Sequence, residues 1–126
     1  PVNAIWEGSG NVMALDLLRV LAREREAVDM VIEALAQVAG DDKTIKSRLA
    51  RIRDGIADLR LTERRGRALI EGLAVVAAAT ILREDAPAAV ADAFLATRLS
   101  AERCYSYGQG LEAVETRAIV DRALAA

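Results

Sequence analysis

The sequence predicts an all-α fold, an antiparallel helical bundle of about five to six helices. Three observations carry that prediction. Only two prolines and eight glycines interrupt 126 residues. The composition leans on Ala, Leu, Arg and Glu, with no β-branched runs, and such residues favour helix. Apolar residues also recur at helical steps of three and four rather than in alternation. An apolar share of 53% is enough for one core at this length, so residues 1–126 read as a single helical domain.

Each element follows from its breakers. Residues 1–10 read as a loop, and Gly8 and Gly10 precede a first helix over about 11–22, with Ser9 or Asn11 as its N-cap. The charge crowding at Arg23-Glu24-Arg25-Glu26 predicts a break before a second helix that ends at Gly40. Asp41 and Asp42 cap a third helix, whose stripe of Ile45, Leu49, Ile52, Ile56 and Leu59 faces a partner helix. A fourth helix, about 62–83, starts at Thr62 and Glu63 and becomes apolar on nearly every side, which predicts a central position. Its Ala77, Ala78 and Ala79 permit close neighbours. Asp85-Ala86-Pro87 ends it, and Pro87 suits the first turn of a fifth helix whose Val90, Phe94, Thr97, Ala101 and Tyr105 trace one face. Gly108 and Gly110 close that helix, and a short last one spans about 114–125.

Several function classes fall away on composition. With no histidine, His-based triads and His metal sites are excluded within the chain. A single cysteine, Cys104, allows no internal disulfide and suits a reducing compartment; it reads as packing, since no nearby Lys or His lowers its pKa. The most apolar run, ALIEGLAVVAAATIL, carries Glu71 and is too short to span a bilayer. No basic region opens the chain as a signal peptide requires, so a cytoplasmic protein without membrane contact is expected. The chain begins with Pro1 and is apolar from Val2 to Trp6, which leads us to expect a piece of a longer protein.

One short stretch, WEGSGN, carries the chemistry. Gly8-x-Gly10 lacks the third glycine of a dinucleotide loop, follows no strand, and precedes no Walker lysine. What the pattern does offer is a helix N-terminus, where the N–H groups of Ser9, Gly10 and Asn11 either cap the helix or hold a phosphate-like group. Glu7 likewise has two readings. An acid ahead of a helix favours its positive end by about 0.3–1 kcal/mol. Alternatively, the apolar wall of Ile5 and Trp6 raises its pKa until it serves as a base near neutral pH, with glycine leaving room for substrate.

The stretch I-W-E-G-S-G-N-V-M is similar to the I-Y-E-G-T-S-x-I-x segment near the C-terminus of acyl-CoA dehydrogenases, flavoenzymes that oxidise acyl thioesters. Trp and Ser-Gly-Asn, followed by ALDLLRVL, resemble the AidB-like and isovaleryl-CoA dehydrogenase-like branch. AVADAFLATRL, residues 89–99, resembles that branch's C-terminal helices. The resemblance implies that Glu7 is the base for the α-proton, that Gly8 and Trp6 line the acyl-CoA site, and that Ser9, Gly10 and Asn11 contact FAD. Gly10 and Asn11 depart from the family's Ser-Gln, which weakens side-chain contact to flavin. The resemblance further implies an acyl-CoA substrate, a homotetramer, and an electron-transfer flavoprotein as redox partner. Most of the FAD and thioester site is expected N-terminal to Pro1, so this chain alone is expected to be inactive.

A second constellation is basic. Residues 41–67 hold nine Lys or Arg against five Asp or Glu, in a chain of net charge −2. Lys46, Arg53, Arg60, Arg64 and Arg67 avoid the apolar stripe and form a candidate phosphate-contacting patch for DNA, as the AidB-like resemblance also implies. The competing reading is a solvated face laced with ion pairs, and the aromatics that stack on bases are missing there. Finally, Arg98, on an apolar helix, is expected to pair with an acid from a neighbouring helix.

Overall fold

The computed structural model describes the backbone of residues 10–57, 59–99 and 115–124, and the side chains of 12–57, 65–99 and 115–124. These residues form six α-helices and no strand: α1 Gly10–Arg23, α2 Arg25–Val38, α3 Lys43–Ala57, α4 Leu59–Asp85, α5 Ala88–Phe94 and α6 Thr116–Leu124. A single π-helical turn, Leu95–Leu99, extends α5.

The sequence breakers act where their chemistry requires. Glu24 leaves helical geometry at φ −135°, so α1 and α2 meet at one residue. Gly40 adopts φ +54° after α2, a left-handed conformation that side chains with a Cβ resist. Asp42 then caps α3, its Oδ1 accepting from the N–H groups of Thr44 at 2.9 Å and Ile45 at 3.0 Å. Pro87 sits at the N-cap of α5, one residue ahead of the first turn, and its carbonyl accepts from Val90 and Ala91.

Two boundaries depart from expectation. Leu59 begins α4 instead of ending α3, so α4 starts three residues ahead of Thr62. The helical step from Ile56 to Leu59 is unbroken in the sequence, so apolar periodicity carried no mark of this corner. In the fifth helix the fully buried positions are Ala91, Ala93, Leu95 and Leu99, whereas Val90, Phe94 and Thr97 are only half-buried. Ala91 and Ala93 lie ahead of the π turn, so the displaced face begins within ordinary α-helix. Ala101, Tyr105 and the end of that helix lie outside the described residues.

Helices α3 and α4 are antiparallel, because contacts ascend one helix as they descend the other. Asp42 meets Arg83, Ile52 meets Gly72, and Leu69 meets Gly55. Around this hairpin, α4 touches α1, α2, α3, α5 and the π turn, the central position its all-round apolarity predicted. The core runs through Ile32, Ile45, Ile56, Val76 and Ala79, each at most 1% exposed, and burying such an Ile contributes roughly 1.5–3 kcal/mol. Thr80 is the one buried polar residue among those described, and its hydroxyl donates to Val76 O at 2.9 Å, so no polar atom is stranded. Among the described residues no helix is long and apolar enough to cross a membrane.

Candidate functional site

The candidate motif leads into α1, and α1 is held by close packing. Gly66 on α4 has no side chain to separate the helices; a Cβ there would lie 3.4 Å from Leu18 Cδ1 and 3.7 Å from Ala14 Cβ. Ala14 and Leu21 are buried on this face, so the N-terminus of α1 is fixed relative to the central helix. Among the described residues no acid occupies the first turn of α1, a helix end that carries partial positive charge. Beside them Val12 and Met13 are about half exposed, at 51% and 47%. The start of α1 thus combines a polar, positive end with an open apolar flank, and the sequence reading had singled out neither Val12 nor Met13.

Of the residues assigned to this site, Gly10 and Asn11 form the first turn of α1. Trp6, Glu7, Gly8 and Ser9 lie outside the described residues, as does the side chain of Asn11.

The basic constellation is only partly visible, and two of its visible members, Lys46 and Arg53, are engaged with acids. Lys46 and Arg53 stand two turns apart along α3. Lys46 Nζ lies 3.6 Å from Asp41, and Arg53 Nη2 donates to Glu33 of α2 at 3.2 Å. Both pairs are exposed, so each contributes at most about 1 kcal/mol and is screened by salt. Arg67 is exposed on α4, and the side chains of Arg60 and Arg64 lie outside the described residues.

Among the described residues, Arg83 and Arg48 tie helices together. Arg98 is exposed, and among the described residues no acid pairs with it. Arg83 instead bridges three elements, with Nε 3.3 Å from Asp42 and Nη1 2.6 Å from Asp92. The hydrogen bond to Asp92 holds its guanidinium above its ordinary pKa, against the opposing effect of partial burial. Arg48 donates from Nε and Nη2 to Leu99 O at 3.2 and 2.7 Å. These roles were hidden because partners 41 to 51 residues away leave no local pattern. Among the described residues no three His, Cys, Asp or Glu side chains form a group that can hold a metal.

No protein-family model matches the chain, and no solved structure matches it. A stretch of 43 residues is 54% identical to an Escherichia coli (strain K12) protein named "Putative acyl-CoA dehydrogenase AidB". The stretch makes up 34% of this chain and 8% of the length of that protein. Over about a third of its length, then, this all-α chain is similar to an acyl-CoA dehydrogenase-like protein.

Proposed function

We propose that the chain is the C-terminal helical region of an acyl-CoA dehydrogenase-like flavoprotein, with Glu7 as the base that takes the α-proton of an acyl thioester. The observation that carries this reading is the 54% identity over 43 residues to the AidB sequence. The motif I-W-E-G-S-G-N, whose Gly10 and Asn11 begin α1, supports it.

The start of α1 supports a place for FAD: no acid stands in its first turn, and a helix N-terminus suits a polar or anionic group of the cofactor. Ser9, Gly10 and Asn11 would hold that group through backbone N–H contacts. When bound, FAD supplies the hydride acceptor for the β-carbon. Glu7 would receive the α-proton on a carboxylate oxygen, and the apolar surface of Ile5 and Trp6 would exclude water and raise the affinity of that carboxylate for the proton. Gly8, without a side chain, would let the thioester approach.

The test uses the full-length protein. It should purify with bound flavin, visible as absorbance near the yellow flavin band, and oxidise an acyl-CoA. Glu7→Gln keeps size and polarity but removes the base, so turnover should fall by at least about 100-fold while the flavin spectrum stays intact. Wild-type turnover in that variant would rule Glu7 out as the base; absence of flavin from the wild type would overturn the reading as a whole.

A further inference from the structure

Helices α1 and α2 carry a second apolar stripe, and it is open to solvent. Met13, Leu17 and Val20 of α1 are followed, past Glu24, by Ala27, Val31, Ala34 and Val38 of α2, in steps of four and three throughout. That is the seven-residue repeat of a helix built to lie along another helix. Leu17 is half-buried and the other six are exposed, and Met30 beside them is 72% exposed.

The break at Glu24 does not put the two halves out of phase. Glu24 N–H still donates to Val20 O at 2.7 Å, and Ala27 N–H donates to Glu24 O at 3.0 Å, so one helix runs into the next without a loop. The core records the same phase. Ala14, Leu21, Val28, Ile32 and Ala39, all buried, follow one another at steps of seven or four across the break. Each open position precedes a position of this buried repeat by one residue, about 100° round the helix. The open stripe therefore stays on one flank of the core from Met13 to Val38.

The stripe is complementary to itself. When two copies lie antiparallel about a twofold axis between Arg25 and Glu26, residues equally far from the axis face each other. Val20 then meets Val31 of the second copy, Leu17 meets Ala34, Met13 meets Val38 and Glu24 meets Ala27. Every seam residue has a seam partner, and large side chains stand against smaller ones. A parallel pairing would instead set Glu24 on Glu24, two like charges in an apolar seam. In the antiparallel one, Arg23, exposed and without an acid partner among the described residues, stands about one turn along from Glu24 of the second copy. Area agrees as well. Met13, Val20, Met30, Val31 and Val38 are 40–72% exposed; with the two alanines they offer roughly 500 Å² per copy, which doubled reaches the roughly 1,000 Å² that a specific interface needs.

We infer that the stripe from Met13 to Val38 is the surface through which two copies of this chain pair, antiparallel, with Val20 of each against Val31 of the other. Cysteine cross-linking reads that register directly, in a Cys104→Ser background. Within one chain positions 20 and 31 are about 16 Å of helix apart, too far to bond each other. Mixing Val20→Cys with Val31→Cys protein under mild oxidation should give a mixed disulfide dimer, whereas either variant alone should run as a monomer on a denaturing gel. Leu17→Cys mixed with Ala34→Cys repeats the reading at the next layer. By light scattering the 126-residue chain should be a dimer. Ala27→Glu, which brings a second carboxylate to Glu24, should weaken pairing at least about tenfold, while Ala27→Lys should retain it; helicity should be unchanged in both, since the site is exposed. A monomeric chain, a Val20→Cys homodisulfide in place of the mixed one, or equal effects of Ala27→Glu and Ala27→Lys would overturn the inference. So would loss of the mixed disulfide when the same variants are made in the full-length protein, because another part of that protein, or another partner's helix, would then cover the stripe.

Discussion

Gly72 lies inside α4, half-buried, and a Cβ built there would meet Ile52 at 3.8 Å, an ordinary contact. Glycine in a helix interior is about 1 kcal/mol worse than alanine, so Gly72→Ala should stabilise the chain by about 0.5–1 kcal/mol. Gly40 has open space around it, yet its φ of +54° strains any residue with a Cβ, and Gly40→Ala should destabilise by about 1 kcal/mol. Urea denaturation followed by circular dichroism checks both, with opposite shifts of midpoint as the expected result. Gly55 is intermediate, since its added methyl would press on Leu69 Cδ2 at 3.0 Å. The propensity gain and the forced movement of Leu69 oppose each other there. The two helical glycines, Gly55 and Gly72, thus differ through their neighbours Leu69 and Ile52, neither of which is close in sequence.

At the scale of elements, Asp42 has two separable jobs: Oδ1 caps α3 and Oδ2 receives Arg83. Asn caps as well as Asp, so Asp42→Asn should lose only the ion pair, about 1 kcal/mol or less, whereas Asp42→Ala should lose the cap too, about 2 kcal/mol in all. Thermal or urea melts of the two variants read the difference; equal losses would mean that the cap contributes nothing. Asp42 also shows what a sequence discloses. Its role as a cap was legible because the signal is local, as were the stop at Gly40, the break at Glu24 and the start of α5 after Pro87. The assignment of Leu59 to α4 was not legible, because the stripe from Ile45 to Leu59 keeps its step across the change of helix. Nor was the π turn, whose last carbonyl accepts from Arg48 of a distant helix. For the candidate site, the motif itself was legible as a type of chemistry, while the openness of Val12 and Met13 depends on how α1 lies on Gly66.

For the molecule as a whole, stability is uneven. Helix α6 packs on α5 but buries no residue, and its Val120 and Leu124 are 49% and 80% exposed. With so little area to hold it, α6 should lose amide protons to exchange first, and removing residues 116–126 should leave the melting midpoint of the remainder within a few degrees. The centre behaves differently, since α4 touches nearly every other helix and should unfold only with all of them. The antiparallel ladder between α3 and α4 also carries a kinetic consequence. Gly55 and Leu69 flank the corner and must close only a short loop, whereas Asp42 and Arg83 stand 41 residues apart at the open end. Loop entropy favours zipping from the corner outward, so the Asp42–Arg83 clasp should form after the folding barrier. Asp42→Asn should then leave the refolding rate nearly unchanged and speed unfolding by a few fold, as stopped-flow urea jumps would show. The clasp would act as a brake on opening, setting the lifetime of the folded bundle without setting how fast it is made.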